Sequence, residues 1–374
     1  MNPSTPPVAF LAPGHTSKAD PSDVRRNNRA LIFGLLFPAT ELSRAQIGRR
    51  TGLSRVAVSD VVGSMLDEGL IREGGLAHNP GKGKRGTLLG IDTQRLHIVS
   101  IDLSQSRFIQ GAVTDLLGTI LYRSELALGA EDTVTIDDIE QLAAQLMDHT
   151  DHVIGIGVAA PGVVVNGTVR RSTALGWHDV DLRTPLEQRF AVPVSVDNDS
   201  TSGMLAERFF GQGGPNLMFV WFRRGIGTSV LIDDVPVVGE NHAGGEIGHI
   251  SIDPEGPPCP CGKRGCLERL ISSPVLEARM REHAGSRQTI LEQAGVHLAN
   301  ALAMPVGMLD ITDICVYGPP DIVNSDFINA AQRYLDQTTA SSFHAQTRIR
   351  RCEIGSDIAI RGESTAVLRD YLAR

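Results

Sequence analysis

The apolar positions of the chain change their period twice. From Asp23, the residues Val24, Asn28, Leu31, Ile32 and Leu35 follow a three-four spacing that predicts a helix, ended by Pro38. Leu42-Ser43-Arg44-Ala45-Gln46-Ile47 starts a second helix with Ser43 as its N-cap, and Gly52 breaks it. A third begins at Leu53-Ser54 and lines up Val58, Val61, Val62, Met65 and Leu66 on one stripe. Gly69-Leu70-Ile71 closes it and opens a short strand. Residues 1–22 hold Pro3, Pro6, Pro7, Pro13 and Pro21 with few apolar side chains, and are expected to be a disordered tail. Beyond Gly86 strands alternate with helices. Strands are expected over 96–103, 109–113, 119–126, 153–158 and 193–196, and helices over 136–149 and 200–210. That alternation predicts an α/β body. No internal repeat of fixed period is visible.

Helix, glycine turn, helix is the sequence shape of a helix-turn-helix. The turn is Thr51-Gly52-Leu53-Ser54, and the second helix carries Arg55, Ser59 and Asp60 away from its apolar stripe. Such a helix can lie in a major groove with its early polar residues near base edges. Leu70–Gly74 and Gly81–Leu89 then read as a two-stranded wing with Lys82, Lys84 and Arg85 at its tip, placed to meet phosphates or a narrow minor groove. The DNA-contacting set expected from this pattern is Ser54, Arg55, Ser59, Lys82, Lys84 and Arg85. Three packed helices and a solvated basic loop would give the same pattern without DNA.

Charge adds weak support. The net charge of −8 divides into 13 Lys/Arg against 8 Asp/Glu over residues 1–95 and 22 against 35 in the remainder, a basic head on an acidic body. No apolar run spans a bilayer: Val153–Val165 is too short and is broken by glycines and Pro161. The N-terminus lacks a basic start followed by an apolar stretch, so a cytoplasmic location is expected.

The chemistry concentrates near residue 260. Gly244-Gly245-Glu246-Ile247-Gly248-His249 is followed by Cys259-Pro260-Cys261-Gly262-Lys263-Arg264-Gly265-Cys266-Leu267-Glu268. Three thiols within eight residues, with His249 close enough to be a fourth ligand, form a Cys₃His set of the kind that holds structural zinc. Unconnected free thiols are the plainer alternative. A redox pair fits less well, because Cys-x-Cys lacks the strand-helix setting of such motifs. Cys315 and Cys352 read as ordinary packed or free residues.

These residues resemble the ROK family, which unites repressors, open reading frames and kinases, from the first helix onward. The match rests on Glu246-Ile247-Gly248-His249 with the cysteine motif, on Val196-Asp197-Asn198-Asp199, and on Ala160-Pro161-Gly162 followed by Leu175-Gly176-Trp177. The resemblance implies a winged helix-turn-helix over 23–90 and a two-lobed actin/hexokinase-like (ribonuclease H-like) domain over 91–374. The smaller lobe would span about 91–199 plus the C-terminal helix, and the larger about 200–360. It also implies a sugar site of Asn198, Asp199, Glu246, His249 and Glu268, and zinc on His249, Cys259, Cys261 and Cys266. Asp199, just before Ser200 and a helix, also suits an N-cap.

In the kinases of the family Asp199 would be the general base, beside glycine-rich turns that hold ATP. Here the first turn is Asp102-Leu103-Ser104-Gln105-Ser106-Arg107, without the family's glycines and lysine. The second is Arg223-Arg224-Gly225-Ile226-Gly227-Thr228-Ser229, half kept, and the third is Tyr317-Gly318-Pro319-Pro320, where proline removes N–H donors. Ala174 also stands where the family has an amide. The expectation is therefore a non-enzymatic repressor of carbohydrate genes, binding an operator in double-stranded DNA as a homodimer or tetramer and responding to a sugar or sugar phosphate. An active sugar kinase with a DNA-binding head and a ligand-independent DNA-binding scaffold are the alternatives.

Overall fold

The computed structural model describes residues 9–10, 21–76, 86–129, 132–339, 342–343 and 345–374. The N-terminal unit holds α1 (Pro21–Leu36), β1 (Leu42–Ser43), α2 (Arg44–Thr51), α3 (Arg55–Glu68), β2 (Ile71–Leu76) and β3 (Thr87–Ile91). Ser43 caps α2 through a reciprocal bond with Gln46, and Gly52 ends it in the left-handed region at φ 74°, where a Cβ is penalised. Ser54 then caps α3, accepting from the Ala57 N–H at 3.2 Å. The expected two-stranded wing is one strand richer. Leu42 and Ser43 pair with Leu89 and Leu88, giving the order β1-β3-β2. Lys82, Lys84 and Arg85 lie outside the described residues.

The smaller lobe follows with β4 (His97–Asp102), β5 (Phe108–Thr114), β6 (Ile120–Ala127), α4 (Ile136–Met147) and β7 (Val153–Ala160). A flap of β8 (Val163–Val165), β9 (Thr168–Ser172) and β10 (Trp177–Asp181) leads to α5 (Arg183–Phe190) and β11 (Val194–Asn198). The larger lobe starts with α6 (Asp199–Phe210), β12 (Leu217–Phe222), β13 (Ile226–Ile232) and β14 (Val235–Pro236). It continues through α7 (Leu267–Ile271), α8 (Ser273–Glu282), α9 (Arg287–Leu309), β15 (Asp313–Tyr317), α10 (Ser325–Thr339) and β16 (Arg348–Arg351). Helix α11 (Ile358–Leu372) returns to pack on α6, β7 and β4.

The two lobes repeat one topology. The smaller sheet runs β11-β7-β4-β5-β6 and the larger β14-β13-β12-β15-β16. In each, three strands joined as antiparallel hairpins share the first strand with a parallel pair. The strands shared between the two halves, β4 and β12, are buried along most of their length, as expected with helices over both faces.

The head and the body share one apolar core. Ile32, Phe33, Val62 and Ile91 of the head are contiguous with Ile98, Leu205, Phe209 and Val367 of the body. Phe10 lies at this joint, 1% exposed, with its ring edge-on to Phe33, Phe37 and Phe209 at 5.0–5.4 Å. Its carbonyl accepts from Arg369 Nε (3.3 Å), and the Ala9 N–H donates to Asp234 (3.3 Å). The expectation of a disordered tail over 1–22 therefore fails at Ala9–Phe10, where one aromatic ring gains enough burial to hold its segment, and at Pro21–Ser22, which begin α1.

Candidate functional site

Where β11 hands over to α6 the chain places Asn198 and Asp199 at the mouth between the lobes. The capping role falls to Asn198, not Asp199: Asn198 Oδ1 accepts from the Ser200 N–H (2.8 Å) and its Nδ2 donates to the Gly162 carbonyl (2.7 Å). One amide hydrogen of Asn198 thus remains for a ligand. Among the described residues Asp199 has a single acceptor bond, from the Ser200 N–H at 2.9 Å. Burial, with Asp102 close by, pushes its carboxyl up to about 7.

Beside these residues a cavity of about 610 Å³, counting space open to solvent, is lined by Asn198, Thr201, Ser229, Val238, His242 and Glu246 among others. Gly245 shapes its wall. At φ 94°, a Cβ there would sit 1.8 Å from the Thr228 carbonyl oxygen, so glycine alone lets the loop lie on β13. Burial raises the Glu246 carboxyl above its ordinary range. Ala174 is exposed in the flap turn and does not line this cavity. Thr201 and His242 were missed by sequence reasoning, having no motif of their own, and Ser229 was read only as the end of the second glycine turn.

The Cys₃His residues converge. One ligand atom from each of His249, Cys259, Cys261 and Cys266 lies within 4.8 Å of the others. Cys261 Sγ is 3.6 Å from Cys266 Sγ, and Cys259 Sγ is 3.6 Å from His249 Nδ1. A tetrahedral zinc with sulfur at about 2.3 Å needs ligand separations of about 3.7 Å, so the set fits that ion. Burial pushes the Cys259 thiol up to about 12 and raises Cys266, whereas the Lys263 N–H bonded to Cys261 lowers that thiol. His249 faces two ways. Nδ1 meets the thiols and Glu268 Oε1 (3.3 Å), while Nε2 is 4.0 Å from Glu246 Oε2. The five residues of the expected sugar site are therefore one neighbourhood, with His249 at its seam. Glu246 and Asn198 line the cavity, whereas Asp199, His249 and Glu268 stand behind or beside it.

The turns that depart from the family's glycine-rich pattern have N–H groups that are already bonded or, at proline, missing. Asp102 accepts from the Ser104 N–H (2.8 Å), Gln105 Nε2 (2.9 Å) and Gln110 Nε2 (2.8 Å), so its own turn already bonds a carboxylate. The Arg107 N–H donates to Asp132, which Arg224 approaches from the other lobe at 3.5 Å. After β15, Pro319 has no N–H, and its carbonyl accepts from Ile322 and Val323.

In the head, Ser54, Arg55 and Ser59 are exposed on the early turns of α3. The Ser54 oxygen is engaged as the cap, which leaves its hydroxyl hydrogen to donate outward. Asp60 on the same face pairs with Arg25 at 3.6 Å.

Fold and site together define a helical head on a two-lobed body of the sugar-kinase type. The ROK family model matches residues 98–364, and the chain belongs to that family. It is 31% identical to the xylose repressor of Bacillus subtilis (strain 168) over 286 residues, 74% of this chain and 74% of that protein. It is 24% identical over 388 residues to the DNA-binding transcriptional dual regulator NagC of Escherichia coli (strain K12), covering 94% and 95%. Among solved structures, a ROK family transcriptional regulator homologous to the E. coli MLC protein superposes with a TM-score of 0.80 at 20% identity, covering 94% of this chain and 97% of that one. A ROK family glucokinase from Streptomyces griseus, in complex with glucose and AMPPNP, gives 0.63 at 20% identity over 72% of this chain and 98% of its own. Its match leaves out about the length of the head.

Proposed function

We propose that this chain is a DNA-binding transcriptional repressor of carbohydrate-metabolism genes whose body binds a sugar or sugar phosphate without phosphorylating it. The observation that carries this reading is the joining, through one apolar core, of a capped helix-turn-helix to a two-lobed body in which the N–H groups of Ser104 and Arg107 are already bonded to carboxylates. The names of relatives matched over about three quarters of the chain or more, a xylose repressor and a DNA-binding transcriptional dual regulator, support it.

Ser54, Arg55 and Ser59 would meet base edges and phosphates, with Lys82, Lys84 and Arg85 on the adjacent backbone. Asn198, Asp199, Glu246, His249 and Glu268 would hold sugar hydroxyls as paired donors and acceptors. His249, Cys259, Cys261 and Cys266 would hold one structural zinc, which supplies no open coordination position and fixes the ring orientation of His249. Helix α6 offers the route between sites. Its first turn carries Asp199, and its last turn carries Phe209 against Phe10 and Phe37. A ligand that favours one lobe closure would thereby shift the heads of a cytoplasmic homodimer or tetramer relative to the operator half-sites. Among the described residues no helix is long and apolar enough to cross a membrane.

The test is retardation of DNA from the chain's own promoter region at low salt, with and without a sugar panel. Arg55→Ala should weaken it, and failure of the parent protein to bind would defeat the reading. One observation favours a residual kinase: Asp199 titrates near 7, where a general base works best. Coupled ADP release over a hexose panel should show no turnover that Asp199→Asn abolishes.

A further inference from the structure

Helix α3 carries two residue choices that the head alone does not explain. The first is Val56. It is 80% exposed, more than any other large apolar side chain of the head among the described residues. The second is Gly63. It sits inside the helix without a positive φ, and a Cβ there would meet nothing within 4 Å. Neither backbone conformation nor packing asks for glycine, and a glycine inside a helix is less stable than an alanine. The two lie on one line. At about 100° per residue, Val56, Asp60, Gly63 and Asp67 fall within about 60° of one another, opposite the buried Val58, Val61 and Met65. Arg55 and Ser59 flank that line. Asp60 and Gly63 also border an open groove lined by Arg25, Ser59, Ser64 and Asp67.

Charge orients this face. Arg49, Arg50 and Arg55 are exposed around the turn into α3, whereas Asp60 and Asp67 are exposed further along it. Phosphates attract the first end and repel the second, so the helix enters a groove by its N-terminal turns. The pair of Asp60 with Arg25, at 3.6 Å and with both side chains more than half exposed, is weak enough to exchange. A major-groove floor offers three kinds of group: acceptors, the amino groups of cytosine and adenine, and the thymine C5-methyl. A carboxylate only accepts, so guanine and thymine oxygens repel it. Adenine sets its N7 acceptor beside its amino group, and cytosine does not. The apolar Val56 has a counterpart only in the methyl group. We propose that α3 reads its operator through Val56 and Asp60, with Val56 covering a thymine C5-methyl, the Asp60 carboxylate accepting from a cytosine amino group, and Gly63 letting the helix backbone close on the groove. Four residues of helix rise about 6 Å, so the two bases lie about two base-pair steps apart. The inference rests on the reading of the head as DNA-binding and deepens it by naming the bases.

The experiment is selection from a randomised duplex pool by the full chain at low salt, followed by anisotropy titration of the enriched duplex. Replacing each thymine of the enriched half-site in turn by deoxyuridine removes only a methyl group. At one thymine this should weaken binding about fourfold, the worth of one buried methyl. Val56→Ala should bind the two versions of that duplex alike. Asp60→Asn, whose amide suits adenine, should enrich adenine where the parent enriches cytosine, a change of about tenfold in preference. It should also gain affinity for unrelated duplex, having lost a negative charge. Gly63→Ala should hold or raise Tm while weakening the enriched duplex about fivefold or more, a combination that a purely structural glycine does not give. If deoxyuridine weakens the parent and Val56→Ala equally at every thymine, the inference is overturned and the DNA-binding reading stands. The same holds if the parent and Asp60→Asn enrich one identical half-site, or if Gly63→Ala binds as tightly as the parent. If the parent enriches no sequence, the repressor reading falls and takes this inference with it.

Discussion

Two groups of cysteines sit in the larger lobe, and only one of them is arranged to receive a cation. His249, Cys259, Cys261 and Cys266 bring four ligand atoms together beside half-exposed glycine turns. Glu207, Cys315 and Cys352 also bring three ligand atoms within 4.8 Å, all of them buried. Into the second group, however, Arg350 projects its guanidinium, donating to Glu207 (2.7 Å) and to Cys315 Sγ (3.4 Å) while also binding Asp313. The cation is already there, covalently attached to the chain. A ligand set is therefore defined by what else occupies its centre as much as by its donors. The same question separates two carboxylates of the cleft. Asp102 accepts from three donors, while among the described residues Asp199 accepts only from its neighbour's N–H.

The largest effect should come from emptying the first group. Exhaustive chelation, or the pair Cys259→Ser and Cys266→Ser, should release about one zinc per chain and lower Tm by roughly 10 °C or more. A chain that melts unchanged without metal would erase the contrast. Next, Arg350→Met should cost about 3–5 kcal/mol, because Glu207 is left charged and buried without its partner. Added zinc should recover part of that loss in the variant and none in the parent, read by Tm with and without metal.

The carboxylates should differ in sign. Asp102→Asn places an NH₂ where donors already point, and should destabilise by about 1–3 kcal/mol, measured by denaturant unfolding. Asp199→Asn should be the smaller effect and stabilising at pH 8, on the order of 1 kcal/mol. The folded Asp199 carboxyl is raised to about 7 from 3.8, so between those values the folded state holds a proton that the unfolded chain has lost. Stability falls as pH rises through that window. The advantage of the asparagine variant should shrink as pH drops toward 5.5, and a pH-independent difference would mean that Asp199 is not the group responsible.

The local signals were legible in the sequence. Ser43, Gly52 and Ser54 act through bonds only a few residues long, so their positions announced the helix ends. The cysteine spacing announced a convergent loop for the same reason. What depended on distant partners was hidden. The matched strand orders of the two lobes leave no repeat in the residues, because topology constrains which strands pair and not which side chains they carry. Phe10 stands alone in a proline-rich stretch and has no period to betray its docking. Arg223 read only as a damaged glycine turn. Its contact with Tyr317 belongs to the packed cleft, as does the lack of an acceptor for its buried Nη1 among the described residues. Asn198 taking the cap from Asp199 turned on one residue's backbone angles.

The joint around Phe10 has a consequence for recombination. A DNA-reading head exchanged between relatives at the link near residue 92 would bring its own α1 but leave Phe209 and Arg369 behind. Such a chimera inherits half of an interlocking aromatic seam. Heads and bodies of this architecture should be interchangeable only as matched sets, with the tenth residue travelling alongside the body surface it plugs.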